Sequence, residues 1–165
     1  MSSDQKRHRK SLDNPPYKEI SERLKVSDFN FDKLECSVLQ MMRFHCISVA
    51  EKRPEDANHL EIIAISRFGE SSGKSISNAL LAILQKLFEA RQSHFNFTSP
   101  TCQCCRITIT DCEARVMRSL HDLRRQQTPN INLDLLVLCE GANSDHVKAK
   151  IEDLAEILGS DTARK

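Results

Sequence analysis

The residues with the clearest chemical potential are the cysteines of Cys102-Gln103-Cys104-Cys105, with Cys112 seven positions beyond Cys105. Cys102 and Cys105 have the C-x-x-C spacing that lets two thiolates reach one tetrahedral ion from a tight turn, which is half of a zinc site. Thr110 and Glu113 form a capping box, so a helix is expected to start at Asp111 and Cys112 to fall in its first turn. Free N–H groups and the positive helix end stabilise a thiolate there, making Cys112 a candidate third ligand. Cys104, His94 and His121 are the candidates for the fourth. No second C-x-x-C or H-x-x-x-H completes the pattern. Two other readings of the same thiols stay open: small buried apolar side chains, as free cysteines often are, and a thiol redox switch.

A second candidate is Phe68-Gly69-Glu70-Ser71-Ser72-Gly73-Lys74-Ser75, which ends like a phosphate-binding loop, with Lys74 and Ser75 as the nucleotide-binding residues. The spacing is one short. Such a loop needs four residues between its glycines to wrap a phosphate with backbone amides, and only three separate Gly69 from Gly73. A helix–helix loop with serine caps is the simpler expectation.

Basic residues supply a third. The run Lys6-Arg7-His8-Arg9-Lys10 could bind nucleic acid weakly through Lys6, Arg7, Arg9 and Lys10, with steep salt dependence. Arg115, Arg118, Arg124 and Arg125 are interleaved with Asp111, Glu113 and Asp122, which reads as a solvated helix face. No G-x-S-x-G or H-E-x-x-H occurs, and the six histidines are scattered, so no standard catalytic constellation is expected. His45-Cys46 are adjacent, and neighbouring helical residues point in different directions.

The elements that must position these groups read as helices. Phe31, Leu34, Val38, Met41, Met42, Cys46 and Val49 recur at helical spacing between Phe31 and Lys52. Pro54, Glu55 and Asp56 look like the start of a second helix running to about Phe68, although Leu60 to Ile65 could equally be a buried strand. After an expected break from Gly69 to Gly73, Ile76, Ala79, Leu80, Ile83, Leu84, Leu87 and Phe88 mark the clearest amphipathic helix. Val116, Met117, Leu120 and Leu123 give the helix after Thr110 its stripe, and Pro129 should end it. Leu133 to Cys139 is a short buried helix or strand stopped at Gly141, and Ser144 can cap a last helix carrying Val147, Ile151, Leu154 and Leu158.

The chain has 165 residues with 39% hydrophobic content, enough for one core, and 24 Lys+Arg against 23 Asp+Glu leave no global field for nucleic acid or membrane. No apolar stretch approaches the roughly 18 residues of a membrane span, and no secretory signal is apparent. A cytoplasmic protein with reduced thiols is expected, since seven cysteines do not suggest a disulfide framework. The expected architecture is mainly α: a compact five- or six-helix single domain over 31–160, with a cysteine-bearing extended joint, behind a disordered basic tail over 1–30.

The cysteine segment resembles a group of small helical bacterial proteins in which a long helix is followed by an extended piece, a Pro-x-Cys-x-Cys turn and a new helix opened by acids. Pro100-Thr101-Cys102-Gln103-Cys104, with Asp111 and Glu113, carry the likeness, and the layout extends over Pro54 to Leu158. Thr98 stands where a histidine would be expected, and Cys112 interrupts the acidic pair. The resemblance implies helices rather than a nucleotide-binding sheet; it supplies no activity. The functional expectation is a non-enzymatic regulatory or adaptor protein acting through protein–protein contacts, with zinc on its cysteines. A DNA-binding transcriptional regulator, a thiol redox switch and a nucleotide-binding protein are the alternatives.

Overall fold

The computed structural model describes residues 24–53, 56–127 and 130–162. The basic run, the rest of the expected tail up to residue 23, and Pro54, Glu55 and Pro129 lie outside the described residues. Among the described residues are six α-helices and no strand: α1 (Lys33–Ala50), α2 (Asp56–Phe68), α3 (Glu70–Ala90), α4 (Asp111–Arg124), α5 (Ile131–Leu138) and α6 (Asp145–Thr162). The chain forms a compact all-α domain.

Local chemistry explains where the helices begin. Asp32 caps α1, taking the Glu35 N–H at 2.8 Å while the Glu35 carboxylate takes the Asp32 N–H at 2.9 Å. Thr110 and Glu113 make the same reciprocal pair at α4, as their spacing predicts. The ends follow left-handed residues. Gln126 (φ 55°) turns the chain after α4, ahead of Pro129, and Glu140 and Gly141 (φ 55° and 80°) terminate α5 with the Gly141 N–H on the Leu136 carbonyl.

Both apolar segments that periodicity left open are helical, in α2 and α5. The expected break from Gly69 to Gly73 shrinks to Gly69 alone, whose φ of 88° lets the chain reverse between α2 and α3. Gly73 sits inside α3 because the helices touch there: a Cβ on it would lie 2.6 Å from the Ile65 Cα. The short spacing therefore serves backbone contact, and the Gly73 N–H is already used by the Gly69 carbonyl.

α3 is central. Its stripe of Ile76, Leu80, Ile83, Leu84 and Leu87 is fully buried, and the helix packs on α1, α2 and α6, while α4 packs on α1, α5 and α6. Val38, Leu39, Met41, Met42 and Cys46 bring α1 into the same core; Val49, expected on that stripe, is exposed near the end of the helix. The packed chain starts before Phe31: Val26 and Phe29, in a short 3-10 turn, lie on the core, and the Leu24 carbonyl accepts the Ile109 N–H at 2.9 Å.

Candidate metal centre on the cysteine joint

Between α3 and α4 the chain is irregular over residues 91–103, with a bend at 92–93 and a turn at 100–101, then makes a 3-10 turn at Cys104–Ile107. The joint is held by one buried ion pair. Arg43 on α1 and Glu113 on α4 are both fully buried, with Nε donating to Oε1 at 2.7 Å and Nη2 to Oε2 at 3.0 Å. Glu113 Oε1 also accepts the Thr98 N–H at 3.1 Å and Oε2 the Thr110 N–H at 2.9 Å, while Arg43 Nη2 donates to the Thr108 carbonyl at 2.7 Å. Both arms of the cysteine loop are thereby tied to the core, and the helix cap doubles as the clamp. Arg43 Nη1 has no acceptor among the described residues.

At the tip, the Cys105 N–H bonds the Cys102 carbonyl at 3.2 Å, and the resulting turn brings the Sγ atoms of Cys102, Cys104 and Cys105 within 4.8 Å of one another. Cys102 and Cys105 are half-buried and Cys104 is exposed. The Cys102 and Cys104 sulfurs are 2.9 Å apart. Hydrogen bonds from Cys104 and Cys105 draw the Cys102 thiol down to about 7, and Cys105, bonded to that sulfur, rises to about 11. One member of the cluster is thus prepared to be a thiolate, the form that binds metal. Three sulfurs at this spacing can hold one thiophilic ion.

The other expected ligands do not join them. Cys112 is half-buried and packs against the core on α4, so its position in the first turn gives it apolar neighbours rather than the cluster. His121 Nδ1 meets Glu35 Oε2 at 3.0 Å, and its ring edge lies on Phe31. His94 is exposed beside a cavity of about 500 Å³ between the ends of α1 and α3. Burial raises the thiols of Cys36, Cys46 and Cys139. Lys74 lies within α3, paired with Glu61 at 3.4 Å, and Ser75 follows it in the helix, so neither belongs to a loop.

The arginines of α4 are not a free solvated face. Arg124 and Arg125 each donate to the buried Glu35 at 2.7 Å, and Arg115 and Arg118 converge on the buried Asp134 of α5 at 2.9 and 2.5 Å. Burial alone would raise the Glu35 carboxyl, yet hydrogen bonds from Arg125, the Asp32 backbone and His121 hold it below the usual range. These cations hold α4 and its C-terminal end against α1 and α5.

His45 was not singled out as a partner of Ser77, but its Nε2 lies 3.0 Å from Ser77 Oγ, beside a cavity of about 390 Å³ between α1, α2 and α3. Burial pushes His45 down to about 4. Ser77 sits in the interior of α3, where neighbouring N–H groups are spent on helical bonds and none is offered to an oxyanion. The pair is structural.

No protein-family model, curated protein or solved structure matches this chain.

Proposed function

We propose that this chain is a non-enzymatic regulatory or adaptor protein whose cysteine turn holds a zinc ion and whose helical surface meets a protein partner. The observation that carries the reading is the convergence of Cys102, Cys104 and Cys105 on a turn clamped to the core by Arg43 and Glu113. A clamp on both arms of a loop fixes where its thiols lie before any ion arrives, which lowers the ordering cost of binding. For the partner, α5 supplies the support: Leu133, Leu136 and Val137 are 60%, 49% and 45% exposed on one short helix. Such a patch favours protein contact over catalysis. No helix among the described residues is long and apolar enough to cross a membrane, and a reducing, cytoplasmic setting would keep the thiols available.

The test is metal analysis of the protein after zinc exposure and dialysis, alongside Cys102→Ser/Cys105→Ser. Retention of zinc by the wild type and its loss in the variant are expected; a wild type that retains none overturns the reading. The 2.9 Å approach of the Cys102 and Cys104 sulfurs favours a second reading, a thiol switch. It predicts a reversible disulfide within the turn after peroxide treatment, detected by the mass of alkylated peptides, in protein that takes up no metal.

A further inference from the structure

A zinc ion on this turn would meet three protein donors, whereas closed structural sites supply four. Among the described residues the cluster contains only those three sulfurs. Of the other candidates, His121 is engaged with Glu35 and Cys112 with the core, and His94 lies exposed beside the cavity at the ends of α1 and α3, outside the cluster. Cys104 and the adjacent Ile107 are exposed, the latter by 64%, so the fourth position faces outward rather than into the domain.

The surroundings select what could fill it. From Gln92 to Thr110 the chain has no Asp or Glu; Arg106 lies within the turn, and Lys25, whose backbone is bridged to Thr108, is hydrogen-bonded to Asp28 through its N–H. Three thiolates on a divalent ion leave one net negative charge, and a further thiolate makes two. The soft sulfur set also favours another soft donor over a carboxylate. Taking the metal reading above as its basis, we infer that the Cys102–Cys104–Cys105 site is an exchange-open centre whose fourth ligand is a thiolate brought by another molecule, either a small thiol or a second copy of this chain.

Cobalt(II) substitution of the full-length protein tests this, because cobalt follows zinc geometry and reports each thiolate by sulfur-to-metal charge transfer. Dilute cobalt-loaded protein should show the three-thiolate spectrum, and titrated glutathione should raise the charge-transfer band toward that of four thiolates, with saturation. If the four-thiolate spectrum is present without glutathione but reverts on dilution, the donor is a second copy, which also supports the inference. A four-coordinate sulfur spectrum at every concentration, or a three-thiolate spectrum unmoved by glutathione, overturns it. Failure to take up cobalt at all would instead sink the metal reading itself.

Discussion

Glu113 Oε1 lies 2.7 Å from Arg43 Nε, and neither side chain has any exposure. The pair joins α1 to α4 across 70 positions of sequence and carries the two arms of the cysteine joint. Removing one partner leaves the other charge buried and unmatched. Glu113→Ala should therefore cost about 3–5 kcal/mol in chemical denaturation, whereas Glu89→Ala, which breaks only the exposed contact with Lys86, should cost less than about 1 kcal/mol. Equal small losses in the two variants would show that the buried pair is not a clamp.

Gly73 should be intolerant of a single methyl. An alanine Cβ would fall within 2.7 Å of backbone atoms of Ala64 and Ile65, and backbone yields only if α2 and α3 separate. Gly73→Ala is expected to destabilise by roughly 1–3 kcal/mol. Gly159→Ala, in α6 with open space around it, should gain roughly 0.5–1 kcal/mol through helix propensity. Urea melts of the two variants moving in opposite directions would confirm the contrast.

Acid should weaken the fold through His45. Its folded-state pKa of about 4 lies below the ordinary histidine value of 6.5, so the unfolded chain binds the proton first. The contribution of neutral His45 is complete above 6.5, declines as pH falls from 6.5 to about 4, and is gone below. Its full size is on the order of 3 kcal/mol. His45→Gln should flatten the stability profile over that window, read by denaturant midpoints at successive pH values; an unchanged slope would place the acid sensitivity elsewhere.

Zinc should raise the melting temperature of the wild type in a concentration-dependent way, by about 2.7 kcal/mol of added stability at a hundredfold excess over the dissociation constant. Cys102→Ser/Cys105→Ser should melt alike with and without the ion. Cys112→Ser should keep the zinc response, because Cys112 is not part of the sulfur cluster; loss of the response there would restore it as a ligand.

Much of the helical layout is local information. The α3 stripe, the Thr110–Glu113 cap and the Gly141 stop each act within a few residues, so their spacing is sufficient to place them. α5 was ambiguous because its eight residues are nearly all apolar, leaving no polar face to set a period. The cysteine turn was partly legible: the C-x-x-C pair and Cys104 meet, but Cys112 was assigned from its place at a helix start, and which face it turns to the core depends on tertiary packing. Arg43 and Glu113 did leave a signal. Arg43 falls among Leu39, Met42 and Cys46, and Glu113 precedes Val116, Met117 and Leu120, so each places a charge on an apolar stripe. Finding that the two charges answer each other requires the packed helices.

The shared carboxylate of Glu113 also makes the joint a single opening unit. Thr98 and Thr110 give their amide protons to its two oxygens, one each, from opposite arms of the loop. The first turn of α4 cannot fray without releasing both. Hydrogen exchange at those amides should thus follow one common rate, and the three thiols between them gain freedom only when that event occurs.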